Sequence, residues 1–260
     1  MQGVLWIQAS NTEMSRGAVE MVRTKRRRGK RKRRPLFWHK STIAVLLTLV
    51  ACGCFFRVTG NSVGVPFLAI GPLAGQIVLI DPGHGGIDPG ACGSMFFEKD
   101  IVLDVSLLLG QKLEQSGAKV VYTRTSDEIE EKEATGSSAY RVSLIEDSNA
   151  TIVVSIHCND YKDPHIKGAQ VFWNSANNEL SGYLADLIQT ELEAKTGTSR
   201  EVSDEIVHFM LDNTQVPAVT VELGFLSNPE EEALLGSSVY QDTLAQCIHD
   251  AILAFCSGDH

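Results

Sequence analysis

Thr151-Ile152-Val153-Val154-Ser155-Ile156-His157-Cys158-Asn159 decides how this chain is read. Its first six residues are almost all β-branched, which suits a pleated strand and disfavours a helix. The run carries no alternating polar face, so it predicts a strand covered on both sides. It ends abruptly on an imidazole. Working outward, Ile77-Val78-Leu79-Ile80 is a second wholly apolar run, stopped by Asp81-Pro82-Gly83. Ala118–Thr123, Gly168–Trp173 and Ala218–Glu222 read as further strands. Between them, Asp100–Ser116 carries Ile101, Val102, Val105, Leu108, Leu109 and Leu113 at helical spacing. Tyr140–Asp147, Asn178–Lys195 and Asp242–Phe255 read as helices, and the acidic stretch 126–138 as a solvated loop. Alternating strands and helices predict an α/β fold. We expect a single domain over 76–256, with a largely parallel twisted sheet of about six strands and helices on both faces.

A parallel sheet puts the carboxyl ends of its strands on one edge, where ligands bind. The residues at those ends are therefore expected to converge. The first strand runs into D-P-G-H-G-G, which carries His84; the third runs into His157; the late strand ends on Glu222. Glu98 stands just before the Asp100 helix. Two neutral imidazoles and a carboxylate make a three-ligand zinc site with a fourth position open to water. Such a zinc ion lowers the pKa of its water to roughly 7, and a free carboxylate nearby, Glu222, is the candidate to move that proton. Asp81 is placed to accept from an imidazole N–H and fix its tautomer. Each residue taken singly also has a plainer reading. A strand-end His commonly makes only a hydrogen bond, Glu98 suits a helix N-terminus by its charge, and Glu222 could be a structural acid.

The charge is divided sharply along the chain. Residues 1–60 hold 13 Lys/Arg against 2 Asp/Glu, and residues 61–260 hold 10 against 30. The basic run at 25–34 precedes Ser41–Phe56, sixteen residues without a charged side chain. Positive charge followed by an apolar stretch predicts membrane targeting, although a full span needs about 20 residues. We therefore expect a basic cytoplasmic region at 1–40, an anchor or signal segment at 41–56, and a Gly/Pro-rich linker at 57–75. Leu49-Val50-Ala51-Cys52 resembles a lipoprotein signal box, and Met21 would make a more compact start. The acidic remainder argues against nucleic acid as a partner. Cys92, Cys158, Cys247 and Cys256 are scattered, without the C-x-x-C spacing of a structural zinc or redox site, and are expected as buried thiols.

Four ordered motifs carry a resemblance. I-D-P-G-H-G-G-I-D-P-G-A at 80–91, E-K-D at 98–100, S-I-H-C-N at 155–159 and V-E-L-G-F-L-S-N-P-E-E at 221–231 together resemble the zinc-dependent N-acetylmuramoyl-L-alanine amidases. The resemblance implies one zinc ion on His84, Glu98 and His157, with Glu222 as the catalytic carboxylate. It implies peptidoglycan as substrate and cleavage between N-acetylmuramic acid and L-alanine. Within that family, the short chain, the N-terminal segment and the stretch 234–245 are similar to the germination-specific amidases of spore-forming bacteria. That likeness implies a role in forming muramic-δ-lactam in the spore cortex, on the exported side of a Gram-positive-type cell. Only ten residues separate Asn159 from Gln170, too few for the inhibitory insertion of cell-division amidases. The site is expected to be open or governed by an activating partner protein. Cys158 departs from the family's small or aliphatic residue, and alternation along the strand points it into the core. Arg141, Lys99 and Arg200 are candidate contacts for the carboxylates of the stem peptide, and Asn159 joins Asp81 and Arg141 as a supporting candidate. The alternatives are another zinc peptidoglycan hydrolase, a carboxypeptidase or deacetylase, and a non-catalytic wall-binding protein.

Overall fold

The three-dimensional description comes from a computed structural model and covers residues 71–127, 138–176, 178–204 and 209–258. Five strands form one sheet among them: β1 (Ile77–Pro82), β2 (Lys119–Tyr122), β3 (Ile152–Asn159), β4 (Gln170–Phe172) and β5 (Ala218–Phe225). Their order is β2-β1-β3-β5-β4. The first four run parallel, and β4 closes one edge antiparallel to β5. The expectation of about six strands is thus corrected to five. Each of the five apolar runs named above supplies one of the strands among the described residues.

Burial on both faces explains why the strands lack polar alternation. Val78, Ile80, Val154, Ile156, Val219 and Val221 point to one face, into the core they share with α1 (Glu98–Gln115), α3 (Glu179–Thr196) and α6 (Ser238–Ser257). Leu79, Val153 and Phe172 point to the other, where α2 (Ser138–Ser148) and the short α4 (Phe209–Asp212) contribute Ile145, Met210 and Leu211. Every one of these strand residues is 3% exposed or less, so burial offsets the entropy of ordering the chain on both sides of the sheet. A further short helix, α5 (Pro229–Leu235), follows β5.

The helix ends carry legible caps. Asn178 accepts from the Leu180 amide to start α3, and Gly197 ends it in the left-handed region at φ 72°. Asn228 accepts from the Glu230 and Glu231 amides, with Pro229 in the first turn of α5. At the other end of the domain, Leu73 is fully buried and its amide donates to the Ser116 carbonyl (2.9 Å), which ties the end of the expected 57–75 linker to the core. The basic run and the apolar segment 41–56 lie outside the described residues, and no described helix is long and apolar enough to cross a membrane.

Candidate metal centre and active site

The site is built where β1, β3 and β5 end. After Pro82 the chain turns sharply through Gly83, and His84 takes the left-handed conformation at φ 56°, a region sparsely used by residues with a Cβ. Two glycines are required here by close approach. A Cβ on Gly83 would lie 2.3 Å from Cε1 of His157, and one on Gly90 would lie 2.4 Å from Oε2 of Glu98 and 2.6 Å from Cδ2 of His84. The glycines quoted in the first motif therefore let the backbone pass directly against the imidazoles and the carboxylate.

His84, Glu98 and His157 meet. One ligand atom from each lies within 4.8 Å of the others, a group that can hold a metal ion. His84 Nε2 is 3.2 Å from Glu98 Oε2, His157 Nδ1 is 2.9 Å from Glu98 Oε1, and the two rings stand edge to face with centroids 5.1 Å apart. Glu98 opens α1, two residues earlier than the sequence indicates, and turns its side chain back into the protein, where it is 2% exposed. Both of its oxygens also accept backbone amides, Oε2 from Ala91 (2.7 Å) and Oε1 from Cys158 (2.9 Å). Burial works against that charge, but the imidazoles and the amides outweigh it and hold the Glu98 carboxyl well below the usual range. His84 is pushed up to about 9, because Glu98 and Asp88 outweigh the effect of burial. The donor set of two imidazoles and one buried, pre-oriented carboxylate fits zinc.

Asp88, four residues past His84, was not among the sequence candidates. Its Oδ2 lies 2.8 Å from His84 Nδ1, and its Oδ1 accepts from the Gly90 amide. That carboxylate fixes which nitrogen of His84 faces Glu98, the duty for which Asp81 is a candidate in the sequence. Asp81 is instead engaged behind the loop. Its Oδ1 accepts from Thr123 Oγ1 (2.6 Å) and Arg141 Nη1 (2.6 Å), and its Oδ2 from Ser155 Oγ (2.7 Å). The H-x-x-x-D spacing was the available signal for Asp88.

Glu222 stands directly beside His157, its register partner across the β3–β5 ladder. It is 8% exposed, and its Oε2 has no hydrogen-bond partner. Burial pushes the carboxyl up to about 7, with His157 and His84 opposing and Glu98 adding to the rise. A buried carboxyl group with an unpartnered oxygen beside a metal-binding group can exchange protons with whatever binds there. The ladder shifts register between His157 and Asn159, a bulge of the kind found next to active sites. Cys158 nonetheless stays in the main core at 5% exposure, where burial raises its thiol well above the ordinary range. Asn159 receives the Leu226 amide on its carbonyl and the Asp160 amide on its side chain.

The basic candidates are occupied as well. Arg141 donates to Asp81, to the Pro82 carbonyl and to the His84 carbonyl. Lys99 Nζ donates to the Gly86 carbonyl and to Asp127. Arg200 Nε donates to the Lys167 carbonyl, and its guanidinium lies 4.9 Å over the Phe225 ring. Arg124, buried at 5% exposure, also went unnoticed in the sequence; it donates to Pro82, Gly83 and Lys99 carbonyls.

A family model described as N-acetylmuramoyl-L-alanine amidase (Amidase_3) matches residues 78–254. The germination-specific N-acetylmuramoyl-L-alanine amidase of Bacillus subtilis is 35% identical over 71% of this chain and 81% of its own length. Among solved structures, the CwlD amidase from Clostridioides difficile, determined in complex with the GerS lipoprotein, is 34% identical with a TM-score of 0.66. It covers 71% of this chain and all of its own. The amidase AmiC2 of Nostoc punctiforme is 29% identical with a TM-score of 0.61, over 70% of this chain and 97% of its own. With the four motifs assembled at one sheet edge, the chain belongs to the Amidase_3 family of N-acetylmuramoyl-L-alanine amidases, enzymes that hydrolyse peptidoglycan.

Proposed function

We propose that the chain hydrolyses the amide between the lactyl group of N-acetylmuramic acid and L-alanine, with one zinc ion held by His84, Glu98 and His157 and with Glu222 moving the proton. The observation that carries this reading is the Glu222 carboxyl: buried, raised to about 7, with a free oxygen, and in register with His157. A bound zinc ion supplies Lewis acidity to a water and to the scissile carbonyl. Asp88, 2.8 Å from His84 Nδ1, would hold a proton on that nitrogen and so leave Nε2 as the atom available to a metal. The Ala91 and Cys158 amides keep Glu98 charged and aimed at the site. Glu222 accepts a proton from the attacking water at Oε2 and returns it to the leaving amine of L-alanine. Its burial and unpartnered oxygen beside His157 suit it to take up a proton and give it back.

The likeness to the germination-specific amidase supports the spore cortex as the place of action, with muramic-δ-lactam formation as the consequence. The basic run and apolar segment before residue 57 support export, with the domain tethered or released outside the membrane. The similar Clostridioides difficile amidase is in complex with a lipoprotein, which supports an activating partner protein for this chain also.

The test uses the full chain in detergent, zinc and purified muropeptides, read by mass spectrometry. Release of the intact stem peptide from the lactyl group is expected. Loss of a terminal D-alanine or of acetate instead would favour a carboxypeptidase or a deacetylase. Glu222→Gln should retain zinc while kcat falls by about 10²–10⁴; undiminished turnover would remove Glu222 from the mechanism.

A further inference from the structure

We propose that Arg141 is a positioning residue for the His84 imidazole, controlling how tightly the metal is held rather than contacting the substrate. The inference rests on the reading of His84 as a metal ligand. Three consecutive carbonyls, those of Pro82, Gly83 and His84, accept from guanidinium groups where the β1 ladder stops. Arg141 reaches the first and third, Nη1 to Pro82 at 2.8 Å and Nη2 to His84 at 2.7 Å. Arg124 reaches the first and second, Nε to Pro82 at 3.2 Å and Nη2 to Gly83 at 2.7 Å. The left-handed conformation of His84 is thus set by bonds on both of its flanking peptide groups.

The two arginines do not act alone. Asp81, 1% exposed, holds Arg141 through Oδ1 at 2.6 Å and is itself held by Thr123 and Ser155. Burial works against the Asp81 charge, yet Arg141 and the two hydroxyls outweigh it and keep the carboxyl below its usual range. Arg124 donates further to the Lys99 carbonyl, next to Glu98, so it links the His84 loop to the first turn of α1. The chain of contacts therefore runs from the interior of the sheet, through Asp81 and Arg141, to the backbone of one ligand. Both hydrogens of Arg141 Nη1 are used within the protein, one on Asp81 and one on Pro82. Only a planar fork spans carbonyls two residues apart while facing a carboxylate; an ammonium group offers a single point.

The experiment measures zinc affinity of the full chain in detergent by competition with a chromophoric chelator, alongside KM and kcat at saturating zinc. Arg141→Gln is expected to bind zinc about 10- to 100-fold more weakly, the usual effect of losing an outer partner of a ligand. Arg141→Lys should not restore it. With zinc saturating, KM should stay at the wild-type value. Unchanged zinc affinity with a raised KM would overturn the proposal and make Arg141 a substrate contact. Unchanged affinity with only a lowered melting temperature would overturn it in favour of a purely structural role. Should the Arg141 variants not fold, Ser155→Ala loosens Asp81 without removing either arginine. It must then weaken zinc binding in the same direction, and wild-type affinity in that variant would overturn the proposal. A wild-type chain that takes up no zinc would instead overturn the metal reading on which the inference stands.

Discussion

Gly90 shows how little room the site leaves for change at a single residue. A methyl group there would lie 2.4 Å from Glu98 Oε2, and the residue's φ of +65° already disfavours any side chain. Gly90→Ala must therefore push either the carboxylate or the His84 ring aside. A displacement near 1 Å at a catalytic centre costs about 10²-fold in rate, so we predict a loss of that size in kcat/KM on muropeptide with the far-UV spectrum unchanged. Wild-type activity would mean that the 83–91 loop relaxes freely. His84, His157 and Glu222 were legible as residues because each stands at the end of an apolar run. Glu98 was legible chiefly through its motif, since an acid at the start of a helix has an ordinary electrostatic reading. What marks it as different, its burial and the amides of Ala91 and Cys158 on its two oxygens, involves chain positions 7 and 60 residues away.

At the scale of elements, the short helix α5 brackets the site more than its seven residues indicate. Glu231 accepts the Phe225 and Gly168 amides, joining the end of β5 to the start of β4. Glu232 accepts the Met95 and Phe96 amides and the Ser94 hydroxyl, holding the loop that leads into Glu98. Glu232→Ala leaves two amides of a half-buried loop without these acceptors. We predict a stability loss of about 1–3 kcal/mol, measured by thermal or urea unfolding, together with weaker zinc retention. A stability loss without any change in zinc affinity would confine Glu232 to folding. The signal for this helix was present in Asn228-Pro229-Glu230-Glu231, an N-cap, a proline and an acidic first turn. The two jobs of Glu231 and Glu232 were not, because their partners are remote in sequence.

For the whole molecule, the parallel order β2-β1-β3-β5 is what gathers the site. It sets the ends of three neighbouring strands side by side, so residues 84, 157 and 222 meet although more than sixty positions separate each from the next. A metal bound by three separate segments joins them and stabilises the folded state by mass action. With free zinc at 100 times its Kd the gain is about 2.7 kcal/mol, which for a domain of this size is a rise of roughly 5–10 °C in melting temperature. Calorimetry with added zinc against a chelated sample checks it, and coincident melting curves would show that the group does not bind the ion in solution. Removing the metal should abolish turnover in the same sample, and adding zinc back should restore it.

Apolar runs, their lengths and the residues at their ends pointed to an α/β domain, a mainly parallel sheet and His84, His157 and Glu222 as candidates, while Glu98 joined them through its motif. These follow from local chemistry: β-branched runs make strands, and parallel strands share an edge. Tertiary structure alone decided which acid serves which base. Asp81 and Asp88 flank the same histidine in sequence, yet the sheet packing gives Asp81 to Arg141, Thr123 and Ser155 and leaves Asp88 for the imidazole. It likewise brought Arg141, 57 residues from His84 in sequence, onto the Pro82 and His84 carbonyls. Hydrogen-bond partners are settled by which groups are brought within 3 Å, and that depends on how the whole sheet and its helices pack, which no local pattern encodes.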